Sequence, residues 1–132
     1  MLQLTIAKER PDAADIRALL SASDRYHAAL YPAESNHLVD IDSLMAPPVR
    51  FLVARRADNG IAVGCGALIL SQEAGLAAAE LKRMWVDSGT RGLGLGRRML
   101  AALEMEARCN AVTLLRLETG ISQPEALGLY RA

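Results

Sequence analysis

Aromatic side chains are scarce in this 132-residue chain, at 4% of residues with one Trp, one Phe and three Tyr. So few rings leave little surface on which nucleic-acid bases could stack. Net charge is absent too, because 15 Lys and Arg balance 15 Asp and Glu. Without a basic field the chain lacks the electrostatic draw toward phosphate backbones or anionic lipid. No nucleic acid and no membrane is therefore the expectation for partners. Cysteine and histidine are limited to two each. Cys65 and Cys109 form no C-x-x-C pair, so neither a metal site nor a disulfide framework is indicated, and both read as reduced, partly buried thiols. Long apolar runs are also missing. The longest, Ile61 to Leu70, is well short of the roughly 20 residues of a membrane-crossing helix and reads as a buried strand. Lys8, Glu9 and Arg10 arrive before a signal-peptide core could form, which points to a cytoplasmic protein.

What is present suits one globular unit. With 52% apolar and 23% charged residues, residues 1–132 are expected to form a single domain with a substantial core. Leu2 to Ala7 alternates with period two, as a half-buried strand does. Pro11 and Asp12 open a helix, with Asp12 as its N-cap, and Ile16, Leu19, Leu20, Ser23, Tyr26 and Leu30 trace one face until Pro32. Ala33 to Pro48 has no clean period and reads as an irregular or briefly helical crossover. Three strands follow: Val49 to Arg55, Ile61 to Ser71 and Ala78 to Val86. Asp58-Asn59-Gly60 marks a tight turn between the first two. Gly64 and Gly66 suggest a bulge or close packing beside Cys65. A helix from Leu95 to about Arg108, a strand from Val112 to Glu118 and a short helix from Gln123 to Tyr130 complete the order.

The segment that carries chemistry is Arg91-Gly92-Leu93-Gly94-Leu95-Gly96-Arg97-Arg98, between a strand and an amphipathic helix. Glycines there let backbone amides approach a ligand, and a helix start favours negative charge, so the turn suits a phosphate or diphosphate. A P-loop is excluded because no lysine follows these glycines. A dinucleotide fingerprint would need glycine where Arg97 stands, and it would open repeated βαβ units rather than follow an antiparallel meander.

Arg91-x-x-Gly94-x-Gly96 resembles the [RQ]-x-x-G-x-[GA] signature of the GNAT acetyltransferases. Glu80-Leu81-Lys82-Arg83-Met84-Trp85-Val86 looks like that family's fourth strand, and Leu115-Arg116-Leu117-Glu118-Thr119 like its fifth. Gln123-Pro124-Glu125-Ala126-Leu127-Gly128-Leu129-Tyr130 is similar to its N-x-x-A-x-x-L-Y helix, with Gln for Asn. The resemblance covers roughly residues 50–131. It implies an α/β (α+β) fold with a mixed, mainly antiparallel sheet flanked by helices.

The same resemblance implies acetyl-CoA as cosubstrate, with no metal, and a small-molecule or peptide amine as acceptor. Backbone at Met84, Trp85 and Val86 would pair with the pantetheine arm, beside a bulge that splays the fourth and fifth strands. Amides of Arg91, Gly92, Leu93, Gly94, Leu95, Gly96 and Arg97 would hold the diphosphate. Gln123 would replace the Asn that contacts CoA, and Tyr130 would protonate the leaving thiolate, a task that suits a phenol. Glu80 stands where some members carry the base that deprotonates the amine. With Lys82 two residues away, it reads equally as an ion-pair or substrate-binding residue. Strict alternation would put Glu80, Lys82, Met84 and Val86 on one face and Leu81, Arg83 and Trp85 on the other.

The expected activity is N-acetyl transfer by direct attack in a ternary complex; the alternative is a non-catalytic acyl-CoA-binding module on the same scaffold. Tyr31 to Pro48 is expected to select the acceptor. The family normally continues past the Tyr130 helix with two more strands, so this chain is expected to lack them. The fifth strand would then keep an open edge, and either a missing C-terminal segment or a homodimer partner is expected to cover it.

Overall fold

Two long strands joined by a two-residue turn form the spine of the molecule. In the computed structural model, which describes residues 3–30, 40–87 and 94–117, β3 runs over Ala62–Glu73 and β4 over Leu76–Val86. Ala74 (φ 53°) and Gly75 (φ 80°) link them. Positive φ at both turn positions matches the right-handed twist of the paired strands, so the hairpin closes without splaying. The preceding strand, β2 (Val49–Arg56), pairs antiparallel with β3 through register partners such as Val53 and Cys65. The turn between them is fixed by Asn59, whose Oδ1 accepts from the Ile61 amide at 3.0 Å.

β1 (Leu4–Lys8) pairs antiparallel with β2, and β5 (Leu114–Leu117) pairs parallel with β4. The five-stranded sheet among the described residues therefore has the order β1-β2-β3-β4-β5. It is mixed and mainly antiparallel, as expected from the sequence. A parallel pair needs a crossover, and α3 (Leu95–Cys109) supplies it.

Each face of the sheet has its own apolar layer. Leu95, Met99, Leu103 and Ala107 recur every fourth residue on α3, and this stripe packs on Leu52, Ala54, Leu68, Ala79 and Leu81. Fully burying side chains of this size contributes about 1.5–3 kcal/mol each for the larger ones. On the other face, Ile16, Leu19 and Leu20 of α1 (Ala14–Leu30) pack with Phe51, Val53, Cys65, Ala67 and Trp85. Leu44, from the short helix α2 (Ile41–Leu44), joins this second layer.

One local expectation changes and another is narrowed. Asp12 lies outside α1, and its carboxylate receives Arg10 Nε and Nη2 at 3.1 and 2.9 Å instead of capping the helix. A guanidinium two residues away offers a two-pronged, charge-assisted pair that outcompetes a backbone amide. The crossover before β2 is helical at Ile41–Leu44, where the Asp40 side chain accepts from Ser43 N at 2.8 Å.

The ends of β1, β2 and α1 are tied by Arg55. Its Nε and Nη2 reach the Glu9 carboxylate at 2.8 Å each, and Nη1 reaches Asp15 at 2.7 Å. The same guanidinium holds the Asp15 carboxyl below its ordinary range.

Candidate functional site

β4 carries the irregularity on which the site is built. Between the register pairs Cys65–Trp85 and Ala67–Lys82, β3 contributes Gly66 alone whereas β4 contributes Arg83 and Met84. The additional residue is a β-bulge, and Arg83 takes a left-handed φ of 57° there. An extra residue reverses the direction of every side chain after it. Ala79 and Leu81 pack in the α3 layer, and so do Met84 and Val86, whereas Trp85 packs in the α1 layer. The faces expected from strict alternation are thus corrected beyond residue 82. Glu80 and Lys82 share their face with Trp85 and not with Met84 and Val86.

The bulge lies just past the described β4–β5 pairs. Those pairs run from Ala78 with Leu114 to Leu81 with Leu117. On its other edge, β4 keeps Trp85 opposite Cys65 and Val86 opposite Gly64, and the Asp87 amide bonds Val63 O at 2.8 Å. Trp85 and Val86 thus occupy the part of β4 that follows the bulge and stays anchored to β3, and Met84 lies in the bulge itself.

Gly94 opens α3 with φ 77° and ψ 8°. It is exposed, and a Cβ built there would meet nothing within 4 Å. The first turn of any helix leaves its amides without carbonyl partners inside the helix. Here those amides belong to Leu95, Gly96 and Arg97, because the Arg98 amide is the one that reaches Gly94 O, at 3.1 Å. No acidic residue occupies this turn, and no side chain among the described residues caps it. Buried Leu95 and Met99 pin the helix to the sheet while Arg97 and Arg98 stay exposed. An open glycine, amides pointing out of a helix start and two nearby cations suit an anionic group such as a diphosphate.

Glu80 is in register with Arg116 of β5 and Ile69 of β3. Its Oε1 lies 3.3 Å from Lys82 Nζ, and the two side chains are 38% and 19% exposed. The ion pair expected from their spacing is therefore made. Arg116 turns instead to Glu73, with contacts of 2.8 to 3.1 Å.

Arg91, Gly92, Leu93, Gln123 and Tyr130 lie outside the described residues, as does the first half of the expected acceptor segment. Cys65 is buried, and burial pushes its thiol up to about 12, so it offers no thiolate for a covalent intermediate at neutral pH. Among the described residues no group of three His, Cys, Asp or Glu could hold a metal ion, and no helix is long and apolar enough to cross a membrane. A shallow cavity between Glu104 and Leu115 lies toward the opposite end of α3 from Gly94. Sequence reasoning missed the part played by Arg83, whose partner Asp24 is on α1.

The chain is also similar to known proteins. The chain is 47% identical over 131 residues to the IAA acetyltransferase of Azospirillum brasilense, a match that spans 99% of this chain and 83% of the relative. It is similar to a Klebsiella pneumoniae structure described provisionally as an acyl-CoA N-acyltransferase. There the TM-score is 0.79 and the identity 38%, over 98% of this chain and 80% of that one. The fold is also that of the ribosomal-protein-alanine N-acetyltransferase of Brucella melitensis, with a TM-score of 0.77 and 23% identity over 97% and 88% of the two chains. Residues 15–132 match the Acetyltransferase (GNAT) family. The chain belongs to the GNAT family of acetyltransferases.

Proposed function

We propose that this acetyltransferase moves an acetyl group from acetyl-CoA to a primary amine by direct attack in a ternary complex. The observation that carries the reading is the succession of a bulged β4 and a left-handed glycine start to α3. The first suits a strand-like pantetheine arm and the second a diphosphate.

In this scheme the amides of Arg91 through Arg97 hold the diphosphate, and backbone at Met84, Trp85 and Val86 aligns the thioester, with Gln123 as a further CoA contact. The amine nitrogen attacks the thioester carbonyl carbon, a C–N bond forms and the C–S bond breaks. Glu80, directly or through water, takes the amine proton, and Tyr130 gives a proton to the departing thiolate. Holding the two reactants together supplies much of the acceleration, and a β4 amide near Met84 polarises the carbonyl. A homodimer in which a second copy lies along β5 belongs to the same proposal.

Calorimetry with CoA, paired with turnover on an amine panel, tests the reading. The Azospirillum relative is named for IAA, so IAA is assayed as an acceptor beside that panel. Wild type should bind CoA and acetylate at least one amine. Gly94→Glu, which sets a carboxylate where the diphosphate would lie, should abolish CoA binding. Tyr130→Phe should lower turnover more than affinity. Tight binding of CoA without turnover on any amine would favour a binding module; unchanged CoA affinity in Gly94→Glu would refute the site.

A further inference from the structure

The scheme above leaves Arg83 without a task, yet the structure invests heavily in its placement. Its φ of 57° is a conformation that residues with a Cβ hold only where the surroundings impose it, and a glycine would adopt it freely. The side chain is 3% exposed. Nη1 donates to Asp24 Oδ1 on α1, Nη2 points to the Leu20 carbonyl at 3.5 Å, and Nε is buried without a hydrogen-bond partner. The Arg83 carbonyl is in turn 3.5 Å from the Cys65 thiol. An ion pair whose carboxylate is 53% exposed adds little net stability, so stability alone does not account for an arginine here.

We infer that Arg83 is a positioning residue: by gripping α1 through Asp24, it holds the β4 bulge in the form that presents Met84, Trp85 and Val86 to acyl-CoA. The inference rests on the reading of β4 as the pantetheine-binding strand. The bulge has two requirements, a left-handed residue and a tether to α1, and they can be separated by mutation. Arg83→Gly keeps the first and removes the second. Asp24→Asn removes the partner's charge at a side chain that is 53% exposed, where disruption of folding is least expected. Arg83→Lys retains one charge for Asp24.

The test measures CoA binding by calorimetry and thermal midpoint for wild type and the three variants. Arg83→Gly and Asp24→Asn should each weaken CoA binding on the order of tenfold, with Arg83→Lys falling between them and wild type. Amide exchange at Met84–Val86 of the unliganded protein should accelerate in Arg83→Gly. A lowered midpoint with unchanged CoA affinity and unchanged exchange in the folded variants would show a merely structural pair and overturn the inference. Wild type that fails to bind CoA would instead overturn the reading of the strand beneath it.

Discussion

The rings of Tyr26 on α1 and Trp85 on β4 meet with centroids 5.1 Å apart and planes tilted by 57°. The contact exists because of the bulge: without the additional residue, Trp85 would point toward α3. A tilted aromatic pair contributes about 0.5–1.5 kcal/mol beyond the area it buries. Tyr26→Leu should therefore lower unfolding free energy by about 1 kcal/mol in a urea titration. Trp85 is the single tryptophan of the chain, so its emission should also change when CoA binds next to the bulge. A silent signal under saturating CoA would argue against β4 as the contact strand.

Gly66 is opposite the bulge and beneath α3. A Cβ there would stand 2.8 Å from Leu103 Cδ1, and Leu103 is fully buried. Gly66→Ala should cost about 1–3 kcal/mol through overpacking, and Leu103→Ala about 2–5 kcal/mol through the cavity it leaves. In the double variant the new methyl enters the vacated space, so the combined loss should be smaller than the two single losses together. Strict additivity in denaturant unfolding would show that the two sites do not press on each other.

Ala74 occupies a left-handed turn position at φ 53° and is exposed. Asparagine tolerates that conformation and makes the Asn-Gly turn that such hairpins favour. Ala74→Asn is expected to stabilise the protein by about 1 kcal/mol, seen as a rise of several degrees in Tm. CoA affinity should stay at the wild-type value, because the turn is at the end of β4 remote from the bulge.

Cys65 and Cys109 should differ sharply in reactivity. Cys109 is exposed, whereas Cys65 is buried and its thiol is raised from 9.0 to about 12. Iodoacetamide at about pH 8 should label Cys109 quickly and Cys65 only after unfolding, which intact mass will count. The sign of the pH effect follows from the raised value. The buried neutral thiol contributes its stability fully below the unfolded value of 9.0, and that contribution is lost as pH rises toward about 12. Cys65→Ala should therefore show a shallower loss of stability across that alkaline window. Identical slopes would mean that the thiol does not titrate with folding.

Much of this architecture was legible because local pattern and tertiary packing agree. The α3 stripe, the apolar face of α1, the Asn59-Gly60 turn and the glycine start at Gly94 each have a short-range physical cause, and the resemblance joined them into a family. The resemblance implied a bulge beside Met84, but the residue that forms it, and with it the side-chain directions after Lys82, was not legible from local pattern. Alternation assumes one residue per register step, and nothing adjacent to Arg83 announces a left-handed arginine. Its anchor, Asp24, belongs to a helix made much earlier in the chain and is brought there only by packing. Asp12 illustrates the reverse problem: a good capping residue was diverted by the arginine two positions before it.

Strand order in the sheet repeats strand order in the chain. Each strand can therefore find its neighbour already emerged when a ribosome delivers it, at about 5–20 residues per second. The β2–β3–β4 meander can close first through its two short turns, α3 can then settle on it, and β5 can arrive last along the edge that β4 still offers. Among the described strands, assembly in this order does not require a later strand to be threaded between two that are already paired. Strand β4 is thus an outer edge of the growing sheet before it becomes an inner one, and the bulge at Arg83 can form before its parallel neighbour exists.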